Sequence, residues 1–164
     1  MFLRSASLFV AFSIAACTAA RAAQVDACKL MDAAAVNAAA KAWFGATAAL
    51  TLVAAPGPRG GTCEYYTDSP RHIDLTIFYA PVANPGFYGL DLPAPKNETP
   101  VSGVGDRAVY DDSNDPGNRY KVEEIAVLKG KAVLVFSVTL DKSAAFVPKE
   151  KLAEFSTKQF VPKM

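Results

Sequence analysis

The chain has one His, one Trp and three Cys among its 164 residues. A single imidazole excludes a His-rich metal centre. It also leaves His72 as the sole imidazole base for a nucleophile. The sequence has no H-E-x-x-H, no C-x-x-C and no nucleophile elbow. An excess of either charge is missing too: 17 Lys+Arg stand against 16 Asp+Glu. That balance excludes a strongly basic nucleic-acid binder. No apolar run reaches the roughly 20 residues that a membrane-crossing helix needs. No internal repeat and no second domain are visible. What is present, 51% hydrophobic and 10% aromatic residues, excludes an intrinsically disordered chain.

The first segment reads as an export leader. Met1-Phe2-Leu3-Arg4 is a short basic start, Ser5 to Cys17 is almost wholly apolar, and small residues run on to Ala23. That order is a positive region, an apolar region and a small-residue cleavage site. Two processing sites compete. Ala20-Arg21-Ala22 fits the A-x-A rule and divides the chain into a signal peptide, 1–22, and one domain, 23–164. Alternatively, Ile14-Ala15-Ala16-Cys17 resembles a bacterial lipobox, in which Cys17 would be lipidated. The soluble form ranks first, because the apolar region before Cys17 is short and lipoboxes prefer Leu where this chain has Ile14. Removing 1–22 takes away Arg4 and Arg21 and no acid, which leaves a net charge of −1. Neither nucleic acid nor an anionic membrane is attracted by such a chain. Membrane attachment would come only through lipidated Cys17.

After the leader, Cys28 and Cys63 remain. Two cysteines in an exported chain are expected to pair. The competing reading is two separate buried thiols.

Downstream, Asp26 to Met31 is expected to start helically. Asp32 should cap a helix over Ala33 to Phe44 with Val36, Ala40 and Trp43 on its inner stripe, and Gly45 should end it. Ala48 to Ala54 suggests a first strand, Pro56 to Gly61 a loop and Thr62 to Thr67 a second strand. Asp68-Ser69-Pro70-Arg71 reads as a turn. His72 to Ala80 alternates as a third strand, with His72 solvated at its entrance. Pro81 to Pro100 reads as a broken helix or a long surface excursion. Asn97-Glu98-Thr99 matches a glycosylation sequon, discounted because the leader looks bacterial. Arg107 to Tyr110 is a short strand, and Asp111 to Arg119 a polar turn. Tyr120 to Leu128 and Lys131 to Leu140 form a hairpin around Lys129-Gly130. Pro148 opens a last helix that runs to about Phe160, with Leu152, Phe155, Ser156 and Gln159 on one face. The order is α+β: a twisted antiparallel sheet with an N-terminal and a C-terminal helix packed on it.

Candidate chemistry is sparse. Asp112, Asn114, Gly117 and Glu123 fall at calcium-loop spacing, but Pro116 occupies a ligand position and the flanks are strands. No metal and no cofactor are therefore expected. Glu123 and Glu124 are neighbours on a strand, so they face opposite ways and cannot form a catalytic pair. Asp106 and Arg107 after the glycines read as a local turn-stabilising ion contact rather than a ligand site. Pro56 to Gly61 lacks the Lys and Ser/Thr of a phosphate loop. Tyr66, Phe78, Phe87 and Tyr88, with Tyr65 and Tyr79, are candidates to line an apolar pocket between the sheet and the long loop. The competing reading is plain core.

Cys28-Lys29-Leu30-Met31-Asp32, Ala35-Val36, Gly45 and Cys63-Glu64-Tyr65 form one recurrent layout. Val101-Ser102-Gly103-Val104-Gly105-Asp106-Arg107-Ala108, the Lys-Gly hairpin and the terminal helix complete it. In this the chain resembles small exported bacterial domains of unknown function, many of them cell-envelope lipoproteins, which are similar to the PsbP-like α+β fold. The stretch 81–100 departs from the plain helix expected in that family. The resemblance implies an envelope location and a binding or scaffolding role, and it carries over no catalytic residue.

The expected protein is thus a periplasmic or secreted non-enzymatic domain that binds an envelope protein partner or assists an envelope assembly. A carrier for a small apolar ligand or lipid is the alternative. A hydrolase ranks third and would need His72, Asp74 and a serine to converge. The intact mass of the exported protein checks the leader. A chain beginning at Ala23 and two hydrogens lighter than the reduced form is expected, whereas an acylated chain beginning at Cys17 selects the lipoprotein.

Overall fold

The computed structural model describes residues 24–45, 50–68, 71–90, 98–113, 117 and 119–164. The leader, Cys17, Ala48, Ser69-Pro70, Asn97 and Asn114 to Pro116 lie outside the described residues.

Among the described residues, two α-helices and a seven-stranded antiparallel sheet make an α+β fold. The helices are α1 (Ala33–Phe44) and α2 (Lys149–Gln159). The strands are β1 (Thr51–Ala55), β2 (Gly61–Thr67), β3 (Ile73–Ala80), β4 (Thr99–Val101), β5 (Arg107–Ser113), β6 (Tyr120–Lys129) and β7 (Ala132–Asp141). Their order across the sheet is β1-β2-β3-β7-β6-β5-β4. Each chain-consecutive hairpin is therefore retained, and the β6–β7 hairpin is inserted between β3 and β5. No helix among the described residues is long and apolar enough to cross a membrane.

Local signals set the elements. The Asp32 carboxylate accepts the Ala35 N–H at 2.9 Å and caps α1. At the other end Gly45 turns left-handed, at φ 64, where a side chain would be strained. Asp26 caps a 3-10 turn at Ala27–Lys29. Lys129 and Ala132 close the β6–β7 ladder around Gly130, which sits at φ 60.

Alternation then sorts the strands into two faces. Ile73, Leu75 and Ile77 of β3, Leu134, Phe136, Val138 and Leu140 of β7 and Ile125 and Val127 of β6 face inward. They share one core with Val36 and Ala40 of α1 and Leu152 of α2. Rings reinforce it: Phe136 lies 6.4 Å from Trp43, 5.3 Å from Phe155 and 5.3 Å from Phe160.

A disulfide joins Cys28 to Cys63, with Cα atoms 5.0 Å apart. It ties the Ala27–Lys29 turn to β2 beneath the sheet. Tyr65, two residues on, donates its hydroxyl to the Met31 carbonyl at 3.3 Å.

Several boundaries differ from the sequence reading. Strand β1 runs to Ala55. Strand β5 continues through Asp111 and Asp112, which the polar reading placed in a turn, because both pair in register with Glu124 and Glu123 of β6. Strand β4 is too short and too proline-bearing to register as a strand by pattern. The stretch from Pro81 holds a single 3-10 turn, Pro85–Tyr88, among its described residues.

The glycines near residue 105 serve a close approach. A Cβ on Gly105 would stand 2.5 Å from the Leu128 carbonyl oxygen. The following residue, Asp106, accepts the Gly130 N–H at 2.6 Å and donates its own N–H to Leu128 at 2.8 Å. The Gly-Asp motif thus staples the β4–β5 connection to the β6–β7 turn, and it does so by a backbone hydrogen bond to the Asp106 carboxylate rather than by the ion contact expected there.

The disulfide closes a loop between residues 35 apart in sequence. Replacing both cysteines by serine is expected to cost about 3–4 kcal/mol on the chain-entropy model. Urea unfolding of the oxidised protein and the double variant measures it.

Candidate functional site

Both helices pack on the inner face, so the chemistry open to a partner lies on the other face. Register builds it row by row. Phe78 pairs with Val135, Val135 with Ala126, and Ala126 with Val109. These residues, with Leu90, Val133 and Leu128, make a second and smaller apolar cluster. The 3-10 turn Pro85–Tyr88 sits on it. Asn84 accepts the Gly86 N–H at 3.1 Å, and Gly89 closes the turn at φ 65. Tyr88 stacks on Phe78 with ring centres 5.7 Å apart. In so tight a turn the preceding side chain points away from the one that is pinned. Phe87 accordingly stands 84% exposed, and Val82 nearby is 71% exposed.

The next row along the strands is polar: Glu64 pairs with Thr76, Thr76 with Ser137, Ser137 with Glu124 and Glu124 with Asp111. The Ser137 hydroxyl donates to Glu124 at 2.8 Å. One row further, the Asp74 carboxylate accepts the Thr76 hydroxyl at 2.5 Å. Glu98 joins from the segment before β4, its carboxylate lying against the Gly89 backbone where a Cβ would overlap it. Glu98, Asp111 and Glu124 share a cleft of about 130 Å³ with Phe87, Tyr88, Val109 and Ala126.

Burial is the first cause that lifts the pKa of Glu64, Asp74, Glu98 and Glu124 above the ordinary carboxylate range. Mutual repulsion adds to it. Asp111 and Glu124 act on Glu98, Asp111 acts on Glu124, and Asp74 acts on Glu64. Arg107 opposes this at Glu98, and His72 opposes it at Asp74 and Glu64. A cation arriving on this face would relieve the repulsion. Among the described residues no group of three His, Cys, Asp or Glu is placed to hold a metal ion.

The aromatic candidates separate. Phe78, Phe87 and Tyr88 come together on the open face. Tyr66 shares that face but pairs with Asp74, four residues from Phe78 and roughly 13 Å along the strand. Tyr65 and Tyr79 turn to the inner side and pack with the main core. What joins the three aromatic residues is a set of acids, which the sequence reading did not connect with them.

His72 is not free in solvent as expected. Its ring stacks on Tyr120 with centres 4.1 Å apart, and its Nδ1 lies 2.7 Å from the Asp68 carboxylate. Its backbone N–H donates to Asp141 at 3.0 Å. The carboxylate on its ring is thus Asp68, while Asp74 is engaged by Thr76.

Glu123 and Glu124 do face opposite ways. Glu123 points inward and is fully buried, as is its same-face neighbour Lys121. Both hold the segment leading into α2. The Val147 N–H donates to the two Glu123 oxygens at 3.0 and 2.9 Å. Lys121 donates to the Ala144 carbonyl at 2.6 Å and lies 3.5 Å over the Phe146 ring. Burial pushes Glu123 up to about 7, against the opposing Val147 hydrogen bond and the Lys121 charge. Tyr110 on β5 is pushed up to about 12, first by burial and then by Glu123. The signal for this pair was phase: Lys121 and Glu123 share parity with Ile125 and Val127 on one strand.

No protein-family model, no curated protein and no solved structure matches the chain.

A carboxylate lifted from 4.5 to about 7 binds its proton more tightly in the folded state. Its contribution to stability is complete below about pH 4.5 and is lost as the pH rises through about 7. The loss is at most about 3 kcal/mol. Glu123→Gln keeps an acceptor for Val147 and is expected to flatten the slope between these two pH values, read by urea unfolding at each pH.

Proposed function

We propose that this chain is an exported, non-enzymatic cell-envelope domain that binds a protein partner through its open sheet face. The presentation of Phe87 carries the reading. A large apolar side chain is held out in solvent on a capped turn whose next residue, Tyr88, is stacked on the sheet. Exposed aromatic residues on rigid supports are typical anchors of protein interfaces. The acids beside it define the partner's chemistry: a segment with an apolar pocket for Phe87 and Lys or Arg residues facing Glu98, Asp111 and Glu124.

The export leader at 1–22, the resemblance to exported envelope domains with a PsbP-like fold, and the Cys28–Cys63 bond support an oxidising compartment. In the alternative processing, lipidated Cys17 would tether the domain to a membrane. The carrier reading has less support. The cleft under Phe87 and Tyr88, at about 130 Å³, falls short of the roughly 300 Å³ where small-molecule pockets begin, and carboxylates line it.

Photo-crosslinking in the intact envelope tests the proposal. Benzoylphenylalanine in place of Phe87 is expected to give one discrete protein adduct that the same probe at exposed Glu150 does not give. Adding Asp111→Asn and Glu124→Gln should weaken that adduct severalfold. Identical patterns at the two probe positions would reject the open face as the partner site.

A further inference from the structure

The two edges of the sheet are built differently. Strand β4 ends one side with three residues, Thr99–Val101, and Pro100 at its centre has no N–H to offer. Strand β1 ends the other side with five residues, Thr-Leu-Val-Ala-Ala, all exposed. It carries no charge, no proline and no bulge, the usual devices that blunt an edge. Leu52 is 50% and Val53 46% exposed. The strand is nevertheless anchored at both ends. Just before it, buried Leu50 donates its N–H to the Asn37 side chain at 3.1 Å. Just after it, Val25 and Gly57 exchange two backbone hydrogen bonds, at 2.8 and 3.2 Å. Its partner on the inner side is β2, with Ala54 opposite the disulfide-bonded Cys63.

The geometry points to β1 as a self-association edge whose occupant is the β1 strand of a second copy. Three observations select a copy of this chain. In a two-fold antiparallel pairing centred on Val53, residue 53 faces its own copy, where a charge would meet its own sign; Val53 carries none. That register sets Val53 against its counterpart on the open face. It sets Leu52 against Ala54 twice on the inner face, large against small, because Leu52 and Ala54 share the face of Tyr65 and Cys63. Finally, the three-residue, proline-bearing β4 edge is a poor acceptor for head-to-tail addition of β1, and a two-fold pair closes at two copies. A five-residue ladder is short, which makes the dimer weak and its population dependent on concentration.

This inference uses the β1 edge rather than the Phe87 cleft and stands or falls separately. Sedimentation velocity of the oxidised chain over a concentration series is the test. A monomer–dimer equilibrium with no larger species is expected. Val53→Lys should raise its dissociation constant at least about tenfold, while Val82→Lys on the other surface leaves it unchanged. Far-ultraviolet circular dichroism checks that both variants are folded. In a second arm, Val53→Cys should form a covalent homodimer on oxidation with the Cys28–Cys63 bond intact, because residues opposite each other in a ladder lie within disulfide reach. A monomer at every concentration, species larger than two, a dimer indifferent to Val53→Lys, or an edge that takes up only a foreign extended peptide would each overturn it.

Discussion

The rings around Phe136 hold the two helices against the sheet. Trp43 comes from α1, Phe155 from α2 and Phe160 from just beyond α2, and all three meet Phe136 on β7, the sheet's middle strand. Because one side chain gathers all three, both helices are committed to the same side. Among the described residues the opposite face has no α-helix over it, only the 3-10 turn Pro85–Tyr88. Its polar rows, its acids and its exposed Phe87 are consequences of that choice, since period-two alternation must place every second residue there.

Where the sequence was legible, the signals were local. Asp32 and Gly45 bounded α1 to the residue, because a capping side chain and a left-handed position are chemistry of the chain itself. The Lys129-Gly130 hairpin and the alternation of β3 were equally plain. The pairing of Cys28 with Cys63 was expected from their number in a chain read as exported and agrees with the bond found. Register was not legible. The extension of β5 through Asp111 and Asp112 depends on β6 lying alongside, and no propensity in an acidic run announces it. Strand β4 exists only as an addition to β5.

The candidate site was half legible for the same reason. Phe78 and Tyr88 were singled out as aromatic residues, and they do meet. Tyr66 was grouped with them by residue type, but strand position separates it from them. Glu98, Asp111 and Glu124 come from three distant stretches and meet through the order β6-β5-β4. The inward Lys121 and Glu123 show the opposite case. Their strand parity matches the core, yet their charge argues for solvent. The fold resolves the conflict by giving both a backbone partner in the segment that leads to α2. Such groups are tolerated inside a protein when hydrogen bonds replace the water they give up.

The contact between Asp106 and Gly130 has one more effect. By fastening the end of one hairpin to the turn of another, it fixes β5 relative to β6 and so presets the spacing of Asp111 from Glu124. A partner bound there, as proposed, would meet a preset lower wall beneath Phe87. Little conformational freedom on that side is left to surrender when the two come together, and recognition there begins from an already shaped template.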